Sequence, residues 1–338
     1  MKKNIIKTWM DNARSGSLVQ SVMPAVLAVV LAIGMPGFNI FLAILAVVGV
    51  ACAHLAMNLA DDYFDYKVDM AGDRDAVIRK GFRAMTAKYE YLQDGSATIK
   101  DTFWAIVSFS AAALVCGIVI MVFRGWQTVL LLTAVTGFLG VFYSAPPLKL
   151  AYRGLGEVEI GVIFGPLLMM GVYYSTCGVI DSSIINLSIP VGLLVLNILF
   201  THSFIERVGD AESNKMTFAR LLGGDKANLI ASAIINFVPF LMVIYGVCTG
   251  IVSWPYLLVL AILPRAIWLL GSLRDFTLGK IDVPADPPKF LGKMDNWEAV
   301  KEKKVDWFLL RWFTARNLLS GFCTTLIIAK IITLIIGC

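Results

Sequence analysis

Nine apolar stretches, most of them near the 20 residues that a bilayer-spanning helix needs, leave this chain few folds to choose from. They fall at roughly 17–33, 40–60, 102–123, 128–143, 158–174, 185–204, 227–247, 251–270 and 318–336. Lipid offers the backbone no water, so such segments close their hydrogen bonds internally as helices. Hydrophobic residues make up 58% of the chain and charged ones 16%, with a mean hydropathy of +0.76. That composition excludes an ordinary soluble domain. The expected fold is all-α and polytopic, with about nine transmembrane helices. The first stretch follows a polar, basic N-terminus with no small-residue cleavage site behind it, and reads as a retained helix, not a signal peptide.

Charge placement predicts the orientation. Basic residues fall in the N-terminal segment (Lys2, Lys3, Lys7, Arg14) and in alternate loops, from Lys67 to Lys100, at Lys149 and Arg153, from Arg207 to Lys226, and from Arg274 to Arg316. The opposite loops hold almost none, Arg124 being the clear exception. By the positive-inside rule the N-terminus is cytoplasmic and the C-terminus lies on the far side. With no transit peptide in view, a bacterial plasma membrane is the expected host. The net charge of +5 follows from this asymmetry and calls for no nucleic-acid partner. The six cysteines form no CxxC pair and read as small buried residues, not as disulfides or a metal site. No segment outside the membrane is large enough to fold alone, and no obligate protein partner is implied.

Two acidic clusters interrupt the apolar pattern. The first is His54-xxx-Asn58-xxx-Asp62, inside NLADDYFDYKVD; the second is His202-xxx-Glu206-xxx-Asp210. Each position of the second lies 148 residues after its counterpart (54 to 202, 58 to 206, 62 to 210). A spacing of four stacks side chains on one helix face, so each cluster aims a polar stripe in one direction from the cytoplasmic end of its helix. The matched offset suggests two related four-helix halves, about 15–155 and 156–275. An interfacial segment and a last helix follow at about 276–338. Repeats of this kind often place a site at their interface.

Asp61, Asp62, Asp65, Asp69, Asp73 and Asp75 fall close together and would repel one another unless cations neutralised them. Carboxylate oxygens suit Mg²⁺, which keeps waters and bridges to substrate phosphates. Lys67, Arg79, Lys80, Arg83 and Lys215 lie beside them and suit diphosphate oxygens. A lipid-tailed diphosphate fits this mixture, with its head at the membrane surface and its tail between helices. A solvated acidic loop accounts for Asp73 and Asp75, but poorly for Asn58, Asp62, Glu206 and Asp210, which continue into apolar helices where charge is costly. A transporter using paired carboxylates is the alternative from another class.

Together these motifs resemble the UbiA superfamily of intramembrane prenyltransferases. NLADDYFDYKVD is similar to its NDxxDxxxD motif with Asp61 in place of Asn, and the second cluster to its DxxxD motif with Glu206 for the first Asp. NKMTFARLLG is similar to GKxTLAxxLG, and YSAPPLKLAYRGLGEVEIGVIFGPLLMMGVYY to the segment joining helices four and five. The resemblance implies nine helices around a central cavity, open to the cytoplasm and laterally to lipid. It implies Mg²⁺-dependent transfer of a polyprenyl chain from its diphosphate to a small aromatic acceptor. By position, Asn58, Asp62, Asp65 and Asp69 would serve the first metal, and Glu206 and Asp210 the second. Lys67, Lys149, Arg153 and Lys215 would contact diphosphate, while Tyr143 and Ser144 would line the pocket near the reacting carbon.

RGLGE, GVYY and NKMTFARLLG lean toward the menaquinone branch, whose acceptor is 1,4-dihydroxy-2-naphthoate. Another quinone precursor is the alternative, since that branch carries an Asn-Asn-x-Arg-Asp run where this chain has His202-Ser203-Phe204-Ile205-Glu206. The usual Arg-Pro-Leu stretch after the first motif is also missing. His202 could orient or deprotonate an acceptor; for His54 a bond tying helices together is the simpler role. Arg265 inside an apolar stretch should face a cavity or a partner. VKEKKVDWFLLRWFTARN reads as an amphipathic helix at the membrane interface.

Overall fold

The computed structural model describes residues 5–67, 89–212 and 216–337. Among them nine helices are long and apolar enough to cross a membrane: α1 Ser15–Ala32, α2 Ile40–Lys67, α3 Ile99–Arg124, α4 Trp126–Ser144, α5 Gly156–Cys177, α6 Ser182–Ile205, α7 Asp225–Cys248, α8 Trp254–Thr277 and α9 Asp306–Ile336. The described residues form no sheet; a lone bridge joins Arg153 to Met216. The all-α, nine-span expectation holds.

Local chemistry sets the helix ends. Asp181 caps α6, its Oδ1 accepting from the backbone N–H groups of Ser183 and Ile184 at 2.9 and 3.1 Å. Thr98 and Asp101 form a reciprocal capping box at the start of α3, satisfying two donors that a helix start leaves open. Arg124, the exception to the charge rule, donates to the carbonyls of Gly37, Ser175 and Thr176 at 2.6, 2.9 and 2.5 Å. It therefore serves the carbonyls left open at the end of α5 instead of facing solvent.

Packing is uneven around the bundle. Of the most apolar 18-residue window in α6, 78% is buried, and 61% of that in α5; in α3 and in α4 the share is 11%. The dense side rests on glycine. A methyl group at Gly165 would sit 2.3 Å from Gly192 Cα, and one at Gly192 2.5 Å from the Gly161 carbonyl, so the α5 and α6 backbones approach directly, as small residues permit in membranes. Pro166 lies in a π-helical turn at Ile163–Leu167 within α5, where a wider turn absorbs its missing N–H. Pro24, Pro190 and Pro239 lie inside α1, α6 and α7. Pro264 stands where the 3₁₀ half of α8 passes into its α-helical half.

One expectation needs correction. DWFLLRWFTARN is not a separate interfacial helix; it is the first part of α9, with Phe308, Leu310, Arg311 and Phe313 buried. Arg311 makes this possible: its guanidinium donates to the carbonyls of Ser272, Lys280 and Trp307, so a charge enters the core only with its donors used. Of the two surroundings expected for Arg265, a cavity or a partner, it has the partner. Its Nε and Nη1 donate to the carbonyls of Phe290 and Asn317 at 2.6 and 2.7 Å, pinning the loop before α9.

Candidate functional site

The carboxylates of α2 emerge where the helix meets the N-terminal segment. Arg14, in a left-handed conformation with φ 56°, turns its side chain onto them. Its Nη1 lies 3.1 Å from Asp62 Oδ1 and its Nη2 3.5 Å from Asp61 Oδ2. Nη2 also donates to the Asn58 carbonyl at 3.1 Å. Burial alone would lower the Arg14 pKa, but the Asp62 and Asp61 carboxylates outweigh it and hold it above its ordinary value. Asp62 is fully buried, and an uncompensated charge there would be costly.

Phenols complete this cluster. Tyr91 Oη donates to Asp62 Oδ2 at 3.3 Å and Tyr152 Oη to Asp65 Oδ1 at 2.5 Å. Burial, reinforced by Asp62 and by Asp65 respectively, pushes both phenols well above their ordinary value, so they remain donors throughout the physiological range. Ser144 Oγ donates to Asp61 Oδ1 at 2.5 Å. Asn58 spends its amide otherwise, donating to the Ala13 carbonyl and Ser17 Oγ, each at 2.9 Å; it holds the N-terminal segment in place. His54 does similar work, with its Nδ1 2.7 Å from Ser21 Oγ of α1.

The second cluster lies in the dense half. Glu206 and Asp210 are almost fully buried. His202 Nε2 lies 2.9 Å from Glu206 Oε2, and the His202 ring meets Phe308 edge-on at 5.2 Å. Arg220 donates to the Asp210 carbonyl at 3.2 Å. Glu157, at the start of α5, accepts the Phe218 backbone N–H on both carboxylate oxygens, at 3.1 and 3.2 Å. With the Arg153–Met216 bridge and the Gly154 N–H bonded to the Met216 carbonyl at 2.9 Å, the loop before α5 is latched to the loop after the second motif.

Both clusters open onto one cavity of about 1150 Å³. Arg14, Asn58, Asp61, Tyr143, Glu157, His202 and Asp210 line its polar end; Ala46, Gly49, Val50, Val129 and Leu132 line its apolar body. From Asp61 back to Ala46 the cavity follows α2 for about 22 Å, at 1.5 Å per residue. Of the residues expected at the site, Asn58, Tyr143, His202 and Asp210 reach this wall; Asp62, Asp65, Glu206 and Ser144 are buried and do not line it, Ser144 bonding to Asp61 and Glu206 pairing with His202. Lys67, Lys149 and Arg153 do not line the cavity. Lys67 is exposed and folds back on Tyr63, donating to its hydroxyl at 2.7 Å, and Arg153 donates to the Pro147 carbonyl at 3.1 Å. Asp69 and Lys215 lie outside the described residues.

Sequence reasoning missed Arg14, Asp61, Tyr91 and Tyr152 as members of the site. Asp61 carried a signal, as the first position of the acidic motif; Tyr152 stood inside the AYRGLGE run; Arg14 was visible only as one of several N-terminal cations. Tyr91 gave none, since only folding brings residues 89–97 to α2.

Comparison with known proteins agrees with this architecture. Residues 21–286 match the UbiA prenyltransferase family. A Synechocystis protein named 2-carboxy-1,4-naphthoquinone phytyltransferase is 28% identical, over 80% of this chain and 83% of its own. A Haemophilus influenzae protein named 1,4-dihydroxy-2-naphthoate octaprenyltransferase is 26% identical, over 76% and 82%. Among solved structures, a UbiA homologue from Archaeoglobus fulgidus bound to DMAPP and Mg²⁺ superposes with a TM-score of 0.58 at 14% identity, over 93% of this chain and 97% of that one. The apo homologue from Aeropyrum pernix gives 0.60 at 17%, over 95% and 98%. These structures share the fold. The chain belongs to the UbiA prenyltransferase family and is an integral membrane enzyme.

Proposed function

We propose that this enzyme moves a polyprenyl chain from its diphosphate to 1,4-dihydroxy-2-naphthoate, a step of menaquinone type, with Mg²⁺ as its metal. One observation carries the proposal: Asp61 from the first motif and Asp210 from the second line the same polar end of a cavity whose body is apolar. The names of the Synechocystis and Haemophilus relatives favour a naphthoate acceptor. In this reading the N-terminus and the polar end lie on the cytoplasmic side of a bacterial plasma membrane; the charge asymmetry supports the orientation.

The donor chemistry fits the metal. Asp62, Asp65, Glu206 and Asp210 are buried carboxylates, the oxygen type that Mg²⁺ takes; Asp62 and Asp65 would serve one ion and Glu206 and Asp210 a second. Among the described residues no three His, Cys, Asp or Glu gather round one point, so diphosphate oxygens and water would complete the coordination. When bound, Mg²⁺ supplies charge that offsets the negative charge growing on the leaving diphosphate.

The chain's own residues do the rest. Tyr91, Tyr152 and Ser144 fix the carboxylates of α2 by donating to them, so those oxygens are aimed before substrate arrives. Tyr143 and the apolar wall keep water from the allylic carbon as its C–O bond breaks. His202, on the cavity wall and bonded to Glu206, is the residue proposed to orient an acidic aromatic acceptor.

The test is transfer of labelled polyprenyl diphosphate by the purified protein in lipid, with and without Mg²⁺, against 1,4-dihydroxy-2-naphthoate and 4-hydroxybenzoate. Product with the naphthoate alone, dependent on Mg²⁺, supports the proposal. Product with 4-hydroxybenzoate alone replaces the acceptor, and ion flux without any transfer would favour the transporter alternative.

A further inference from the structure

The start of α9 carries Trp307, Phe308, Trp312 and Phe313, aromatics of the kind that anchor a helix at the membrane interface. Trp312 is placed otherwise. Arg311 beside it is tied to three carbonyls of the bundle, and among the described residues Trp312 is the one member of α9 on the cavity wall. Its company there is a strip of α6, namely Ile198, Leu199, His202 and Ser203. Phe308, whose ring meets that of His202 at 5.2 Å, stands one turn before Trp312, and side chains four apart share a helix face. The indole and the imidazole therefore belong to one patch of wall.

The two rings offer complementary bonds. Trp312 Nε1–H makes no hydrogen bond among the described residues, although a partly buried indole usually finds one. His202 spends Nε2 on Glu206 and keeps Nδ1. An isoprenoid tail has nothing to bond with either group; a flat ring carrying oxygen does. We propose that Trp312 is a specificity residue for the aromatic acceptor: its indole packs against the acceptor ring beside His202, donates to an oxygen on it, and favours a two-ring acceptor over a single ring through the larger face it covers. This rests on the aromatic acceptor proposed above. Arg316, 5.9 Å from the ring centroid, and Phe313, edge-on at 5.5 Å, hold the indole in its orientation.

Fluorine NMR of the full chain in detergent micelles, labelled with 5-fluorotryptophan, tests the contact without turnover. The chain has eight tryptophans, and Trp312→Phe identifies the signal by its loss. Addition of 1,4-dihydroxy-2-naphthoate should shift the Trp312 signal. A signal that moves with geranyl diphosphate and Mg²⁺ but with no aromatic, or that moves with neither, overturns the proposal. A shift with 4-hydroxybenzoate alone would keep Trp312 at the acceptor while refuting the two-ring preference and the naphthoate reading. A shift with the naphthoate in protein that transfers no prenyl group would uphold the contact and refute the reaction. In steady-state transfer, Trp312→Leu should raise the acceptor KM by about tenfold, the upper end for an aromatic pair, with the donor KM unchanged; Trp312→Phe should recover part of the loss. Trp307→Phe, stacked on Phe276 and off the cavity wall, should change neither KM. Loss of kcat in both Trp312 variants with the acceptor KM unchanged would mark Trp312 as an anchor of α9 and overturn the proposal.

Discussion

The two acidic motifs share a spacing, yet they stand in halves of the bundle that are packed to different degrees. The first ends α2, beside α3 and α4, which bury 11% of their apolar windows; the second follows α6, which buries 78%. On the sparse side, helix packing supplies little of the neutralisation that buried carboxylates require. Most partners come from outside the bundle, Arg14 from the N-terminal segment, Tyr91 from the loop before α3 and Tyr152 from the loop before α5, with Ser144 at the end of α4 the exception. On the dense side, the motif is framed by Phe308 of the core and by His202 of the cavity wall. Equal spacing in sequence thus yields one site built by loops and one built by packing.

The contrast breaks most directly at the carboxylates. Asp62→Ala and Glu206→Ala should each lower turnover by about 10²- to 10³-fold, the scale for removing one preorganised electrostatic partner. Steady-state transfer rates with a fixed donor check this, and full activity in either variant would mean that one motif alone serves the reaction. Next, Gly192→Ala should cost about 1–3 kcal/mol of stability through overpacking at backbone that cannot retreat. Gly137→Ala, on the open side, where a methyl group would meet no atom within 4 Å, should cost nothing measurable; thermal unfolding in detergent compares the two.

Arg14→Gln should weaken Mg²⁺-dependent activity by about tenfold, since partners behind metal ligands contribute about 10- to 100-fold and this side chain is partly exposed. Arg14→Lys should recover part of the loss, and titration of kcat/KM against Mg²⁺ distinguishes a metal effect from unfolding. The smallest effect is alkaline. Tyr91 and Tyr152 are protonated donors with folded-state pKa values raised above the ordinary 10.0. Their contribution is therefore complete below about pH 10 and is lost as pH rises through the folded values. Melting temperatures followed from neutral to alkaline pH should decline only above that point, and Tyr152→Phe should flatten the decline.

Much of this was legible in the chain itself. All nine spans were, because apolar runs of membrane length have few other fates. Boundaries were less so: α9 begins at Asp306, earlier than the apolar run suggests, because Arg311 is paid for by three carbonyls that no local pattern reveals. At the site, Asp62, Glu206 and Asp210 stood out as charges at the ends of apolar runs. Lys67, Lys149 and Arg153, expected to contact diphosphate, do not line the cavity; Lys67 donates to Tyr63 and Arg153 to the Pro147 carbonyl. Arg14 sits 47 residues before Asp61 (14 to 61) and meets it only after α1 and α2 pair.

The amino-acid sequence alone determined the membrane, the helices, their expected orientation and the two acidic stripes, because hydropathy and the fixed pitch of a helix are local properties. Tertiary structure decided which cations and phenols neutralise those stripes, which glycines carry helix contact, and which aromatic of α9 reaches the cavity. Those depend on how helices far apart in the chain pack against one another, and a one-dimensional pattern holds no distance between them.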